Sequence, residues 1–134
     1  MVDAGPLYAY VDADDRHHRE SLELLREHPG PLLVPALVIT EVTYLLGTRL
    51  GAEAEVRFLG DLAAGDFSVE AVAAGDWMRI AALVWGYRDL PLGTVDASLV
   101  AAAERLGVRA LATFDRRHFA VVRPAHTAAF DLLP

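Results

Sequence analysis

Apolar and polar positions along the chain alternate between two rhythms, short apolar runs and longer stretches with helical spacing. Met1–Val2 reads as a strand stub, Pro6–Val11 as a short helix, and Asp15–Glu27 as a polar amphipathic helix. Leu32–Val34, bounded by Pro31 and Pro35, predicts a brief buried strand. Ala36–Leu50 and Ala52–Ala64 predict helices broken at Gly51. Phe67–Val69 follows as a strand, then a helix over Trp77–Tyr87 capped by Asp76. Thr94–Leu106 is a further helix, stopped by Gly107, and Arg109–Phe114 a buried strand. Phe119–Val122 and Phe130–Leu132 are candidate edge strands. Strands separated by helices predict an α/β fold, a parallel sheet covered on both faces. With no repeat or linker composition, residues 1–134 are expected to form one domain.

The apolar fraction of 54% supports a real core, yet no run reaches the length of a spanning helix. Met1-Val2-Asp3 lacks the basic start of a secretory signal, and the absence of Cys removes disulfides and thiolate chemistry. A reducing cytoplasm without membrane association is the expected setting. The net charge of −7 argues at first against a nucleic-acid partner, an inference that depends on where the carboxylates lie. All 12 basic residues are Arg, so mechanisms that need an amine are excluded while bidentate phosphate contacts remain open. Five of them cluster between Arg105 and Arg123, a pattern that a solvated helix face also produces.

Most acids sit where solvated acids sit, but four do not. Glu41 shares its helical face with Leu37, Val38, Tyr44 and Leu45, as a functional carboxylate, a paired structural one, or one at the margin of that face. Asp3 and Asp115 each follow an apolar strand, where open α/β sheets gather ligand groups and where turn Asp residues also occur. Asp96 falls in the first turn of a helix, a position that the helix dipole alone would favour. Asp89, before Leu90-Pro91, is a weaker candidate that a turn also explains. Clustered carboxylates repel unless a cation intervenes, and hard Mg²⁺ or Mn²⁺ take oxygen ligands while keeping waters. Such a site suits hydrolysis of a phosphodiester. Hydrolysis by a carboxylate pair without metal needs only two of the four.

The remaining polar residues carry less. His17 and His18 lack the spacing of a zinc pair, and His118 and His126 read as surface residues. No nucleophile elbow, dinucleotide fingerprint or phosphate-binding loop motif occurs. Trp77 and Trp85, on one helix, read as core or interface rather than a base-stacking platform.

Val2-Asp3-Ala4-Gly5-Pro6-Leu7, Glu41 after a Pro-bounded strand, Asp89 through Ala97, and Ala112-Thr113-Phe114-Asp115-Arg116-Arg117-His118-Phe119 together resemble PIN-domain ribonucleases. Within that family they resemble the VapC-type toxins of type II toxin–antitoxin pairs. The resemblance covers essentially the whole chain. It implies a three-layer fold around a parallel five-stranded sheet of order 3-2-1-4-5, residues 1–134 forming a single PIN domain. It implies that Asp3, Asp96 and Asp115 bind Mg²⁺ or Mn²⁺, with Glu41 a further ligand or the residue that orients the attacking water. Thr113 matches a supporting hydroxyl, Asp89 a supporting acid, and Arg116 and Arg117 are expected to contact RNA phosphates. The implied reaction is endonucleolytic hydrolysis of RNA by a cytoplasmic homodimer, silenced by a VapB-type antitoxin. Two departures stand out: Gly5 replaces the family's usual Ser or Thr, and only two residues precede Asp3. They motivate an alternative, a catalytically inactive PIN-like module that binds protein or RNA. A structure-specific DNA nuclease of the same broad fold ranks last, because the chain is short for an added helical arch.

Overall fold

The computed structural model describes residues 1–134. Helix α1 (Ala4–Val11) starts directly after Asp3, whose side chain accepts from the Ala4 N–H, and α2 (His18–Glu27) follows. The predicted start of α2 at Asp15 gives way to a polar turn, because the Asp12 and Asp15 carboxylates accept from the Asp14 and His17 N–H groups. Strand β1 (Leu33–Pro35) runs straight into α3 (Ala36–Arg49), and α4 (Ala52–Ala64) precedes β2 (Ser68–Glu70). Then come α5 (Asp76–Gly86), α6 (Thr94–Leu106), β3 (Ala110–Ala112), the single turn α7 (Arg116–Phe119) and β4 (Asp131–Leu133).

Two parallel pairs form, β1 with β2 and β3 with β4. The extended Met1–Asp3 segment lies between them. Val2 N–H donates to Leu33 O on one side at 2.9 Å, and Ala112 N–H donates to Met1 O on the other at 2.9 Å. Asp3 N–H donates to Ala112 O at 3.0 Å, so the first acid is fixed by strand β3. Its two-residue approach therefore borrows rigidity from both neighbours.

The helices pack pairwise, α1 on α2 and α3, α3 on α4 and α6, α5 on α6. Leu7, Val38, Val42, Leu46, Phe58, Leu99, Val100, Leu111 and Phe119 are fully or almost fully buried, each contributing roughly 1.5–3 kcal/mol of transfer free energy. Helix α6 buries the whole run Ala97–Ala103, in which the small Ala97, Ser98 and Ala101 to Ala103 let neighbours approach closely around Leu99 and Val100. It ends at Gly107, whose φ of +69° closes the helix in the left-handed region.

Three expectations change. Phe119–Val122 is not a strand: Phe119 and Val122 are buried while Ala120 and Val121 are exposed, a helical spacing that α7 and its following turn satisfy. Asp76 does not cap α5 from outside; it is the first helical residue, buried, accepting from Ala73 N–H and bonded to Arg105. Trp77 and Trp85 are not core, being 52% and 70% exposed. The Arg88 guanidinium lies 4.4 Å from the Trp85 ring centre.

Candidate active site

Asp3, Thr113 and Asp115 gather at the carboxyl ends of adjacent strands because the Met1–Asp3 segment pairs in parallel with β3. Asp3 is 7% exposed. Its Oδ1 accepts from Ala4 N–H and its Oδ2 from the Thr113 hydroxyl, both at 2.7 Å. Thr113 in turn accepts from Asp115 N–H at 3.0 Å, so one hydroxyl links the first acid to the last. Each Asp3 oxygen keeps a further acceptor site for a cation or water.

The other two acids come from helices. Asp96 is in the first turn of α6, half-buried, and Glu41 lies on α3, next to the buried Val42. Glu41 itself is exposed; of the neighbours on its mostly apolar face Val38 is buried, Leu37 and Leu45 are half-buried, and Tyr44 is exposed. Glu41 therefore lies at the margin of the buried face, with its carboxylate open to solvent.

The carboxyls share one electrostatic field. Burial, above all, pushes Asp3 up to about 6, against the lowering effect of Thr113 and Ala4; Asp96 and Glu41 add to the rise. Glu41 is raised by partial loss of hydration and then by Asp96. Asp96 is raised by burial, relieved by a bond to His118 and raised again by Asp115. Asp96 is the member that links all the others.

That mutual repulsion is what a divalent cation relieves. No three of these side chains converge as a ready-made metal clasp. The donors, all carboxylate oxygens, fit a hydrated Mg²⁺ or Mn²⁺ that retains several waters, rather than a dehydrated chelate. The best-enclosed cavity, about 20 Å³, lies elsewhere, among Met1, Leu25, His28, Leu32 and Ala110, and is apolar.

A family model for the PIN domain matches residues 1–124. The chain belongs to the PIN-domain family. Over 134 residues, spanning 100% of this chain and 99% of the relative, this PIN domain is 34% identical to Ribonuclease VapC26 of Mycobacterium tuberculosis. The crystal structure of M. tuberculosis VapC20, described as a sarcin-ricin loop cleaving toxin, superposes with a TM-score of 0.84 at 21% identity. That match covers 94% of this chain and 96% of VapC20, and supports the α/β PIN fold. These comparisons bear out the resemblance to VapC-type PIN-domain ribonucleases.

Of the residues expected to support the acids, Thr113 is bonded within this cluster, whereas Asp89 lies in the exposed turn after α5, outside the hydrogen-bond network of the acids. Arg116 and Arg117 are exposed at the start of α7, next to Asp115; Arg116 donates to the Pro134 carbonyl. Two histidines correct the sequence reading. His126 is half-buried, held to the Val108 carbonyl at 2.8 Å. His118 is 17% exposed and reaches both Asp96 and Asp115. The sequence signal for His118 is its spacing, three residues after Asp115, which brings it back over that acid across one helical turn. Phe114 packs over Gly5, where an added Cβ would meet Phe114 Cδ2 at 3.4 Å, and stacks on His17 at 4.0 Å.

Proposed function

We propose that the chain is a divalent-metal-dependent endoribonuclease, the toxin of a VapBC-type toxin–antitoxin pair. The observation that carries this reading is the shared field of Asp3, Glu41, Asp96 and Asp115, with the first and last acids linked by Thr113. The names of the relatives, a ribonuclease and an RNA-loop-cleaving toxin, support the substrate class. Residues 1–134 form a single PIN domain in this reading. The two strand pairs and the Met1–Asp3 segment act as one five-stranded sheet of order 3-2-1-4-5 between helical layers.

Asp3, Asp96 and Asp115 hold Mg²⁺ or Mn²⁺, with Glu41 as a further ligand or an orienting group. When bound, the metal supplies Lewis acidity toward the phosphodiester and lowers the pKa of water. Glu41, exposed and with a raised pKa, is suited to accept the proton of an attacking water. The water oxygen forms the new P–O bond, the P–O3′ bond breaks, and the products are a 5′-phosphate and a 3′-hydroxyl. Arg116 and Arg117 grip phosphates beside the scissile bond. The chain works as a cytoplasmic homodimer, silenced by a VapB-type antitoxin; no helix is long and apolar enough to cross a membrane.

Cleavage of RNA by the purified protein with Mg²⁺ or Mn²⁺, abolished by EDTA and by Asp96→Ala, is the expected result. Overexpression should arrest growth unless the neighbouring gene is co-expressed. Activity unchanged in Asp3→Ala and Asp96→Ala would overturn the assignment. The alternative, an inactive binding module, is raised by Gly5, which offers no side-chain hydroxyl and whose Cβ direction faces the Phe114 ring. It predicts neither cleavage of any RNA nor stabilisation by millimolar Mn²⁺.

A further inference from the structure

Of the five histidines, His118 stands among the acids. Its Nδ1 lies 2.9 Å from Asp96 Oδ2 and 3.3 Å from Asp115 Oδ2, and its backbone N–H donates to Asp115 Oδ1 at 3.3 Å. Two carboxylate oxygens flank one ring nitrogen, so that nitrogen carries the hydrogen; a bare lone pair there would be repelled by both. The bond from His118 is the one hydrogen bond that the Asp96 carboxylate receives. Asp96 comes from α6 and Asp115 from the end of β3, elements whose acids otherwise only repel each other.

We propose that His118 is a positioning residue. Its Nδ1–H ties Asp96 to Asp115 and so sets how these two carboxylates present their remaining oxygens to a divalent cation. The inference rests on the metal-dependent reading above. Asp115 caps the four-residue turn α7, and that turn returns His118 over the cap. α7 thus serves as a bracket for the imidazole. Groups that orient metal-binding side chains from behind typically account for roughly 10- to 100-fold in affinity or activity.

The test compares His118→Leu, which removes the donor, with His118→Asn, whose amide N–H substitutes for Nδ1–H, after thermal melts establish folding. Should the Leu variant fail to fold, His118→Gln, with the donor displaced by one methylene, serves in its place. In the metal-free protein, ¹⁵N NMR should show the His118 Nδ1 protonated. Calorimetric titration with Mn²⁺ should show binding weakened by about tenfold or more in His118→Leu and close to wild type in His118→Asn. At saturating Mn²⁺, kcat should fall in His118→Leu while KM for RNA holds. Wild-type Mn²⁺ affinity in His118→Leu, or equal losses in the Leu and Asn variants, would overturn the positioning role. A wild-type protein that neither binds Mn²⁺ nor cleaves RNA would instead overturn the metal-dependent reading itself, and this inference with it.

Discussion

The hydroxyl of Thr113 donates to the carboxylate of Asp3 at 2.7 Å across 110 positions of sequence, with both residues buried. The same oxygen accepts from Asp115 N–H, so two acids depend on one hydroxyl for their placement. Thr113→Val keeps the volume and removes both bonds. It should cost roughly 1–3 kcal/mol in thermal or urea unfolding, because buried polar groups lose their partner. RNA cleavage should fall by about tenfold or more, with Thr113→Ser close to wild type. Equal activity in the Val and wild-type proteins would show that Thr113 does not position the acids.

Asp3 gives the metal-free protein a characteristic pH dependence. Burial raises its pKa from 3.8 to about 6, so the folded state holds this proton more tightly than the unfolded chain. The contribution to stability is fully present below the unfolded value and is lost as pH rises through the folded one. In EDTA, the stability attributable to this group should therefore decline between about pH 4 and pH 6. Asp3→Asn should remove that decline and stabilise the metal-free protein at pH 7 by roughly 1–3 kcal/mol, while abolishing cleavage. Unfolding curves across pH for the two proteins decide it; parallel profiles would count against a raised Asp3.

Far from the acids, Arg105 binds three groups, Glu70 at 2.9 Å, Asp76 at 3.1 Å and the Ala71 carbonyl at 3.3 Å. Burial pushes the Asp76 carboxyl up, but the Arg105 bonds and the Ala73 N–H outweigh it and hold the group below its ordinary value. The sign is opposite to that of Asp3: this stability is present above the ordinary pKa and is lost as pH falls through the depressed one. Arg105→Ala should cost about 2 kcal/mol at pH 7 and less in acid, since it strands a buried carboxylate. Mn²⁺ titration of this variant should match wild type, and a large drop in metal affinity would tie the cluster to the site.

Arg116 and Arg117 offer a test that does not depend on chemistry. In an Asp96→Asn background, replacing both with Ala should weaken single-stranded RNA binding. It should also lower the slope of log affinity against log salt by about 0.7 for each phosphate that is no longer neutralised. Unchanged affinity and slope would remove both from the interface.

Much of the fold is legible in the sequence because its signals are local. α3, α4 and α6 follow directly from apolar spacing and the stops at Gly51 and Gly107, and the strands β1 to β4 lie within one residue or so of the apolar runs. The failures are places where a distant partner decides. Phe119 and Val122 look like a strand until their burial three residues apart is seen. Asp76 looks like a cap until Arg105, from another helix, claims it. The candidate acids are marked by their positions past strands and in first turns. His118 is marked only by its spacing from Asp115; its contact with Asp96, 22 positions away, leaves no local sign.

The pairing of Val2 with Ala112 also fixes when the site can exist. Val2 waits for a partner far along the chain, and closing so long a loop brings no reward until both strands are present. During synthesis, Asp3 stays without Thr113 until the 110 positions that separate them have been made. Until Thr113 is present the hydrogen bond that holds the Asp3 carboxylate cannot form, so the arrangement of these acids is a late event of folding rather than an early one.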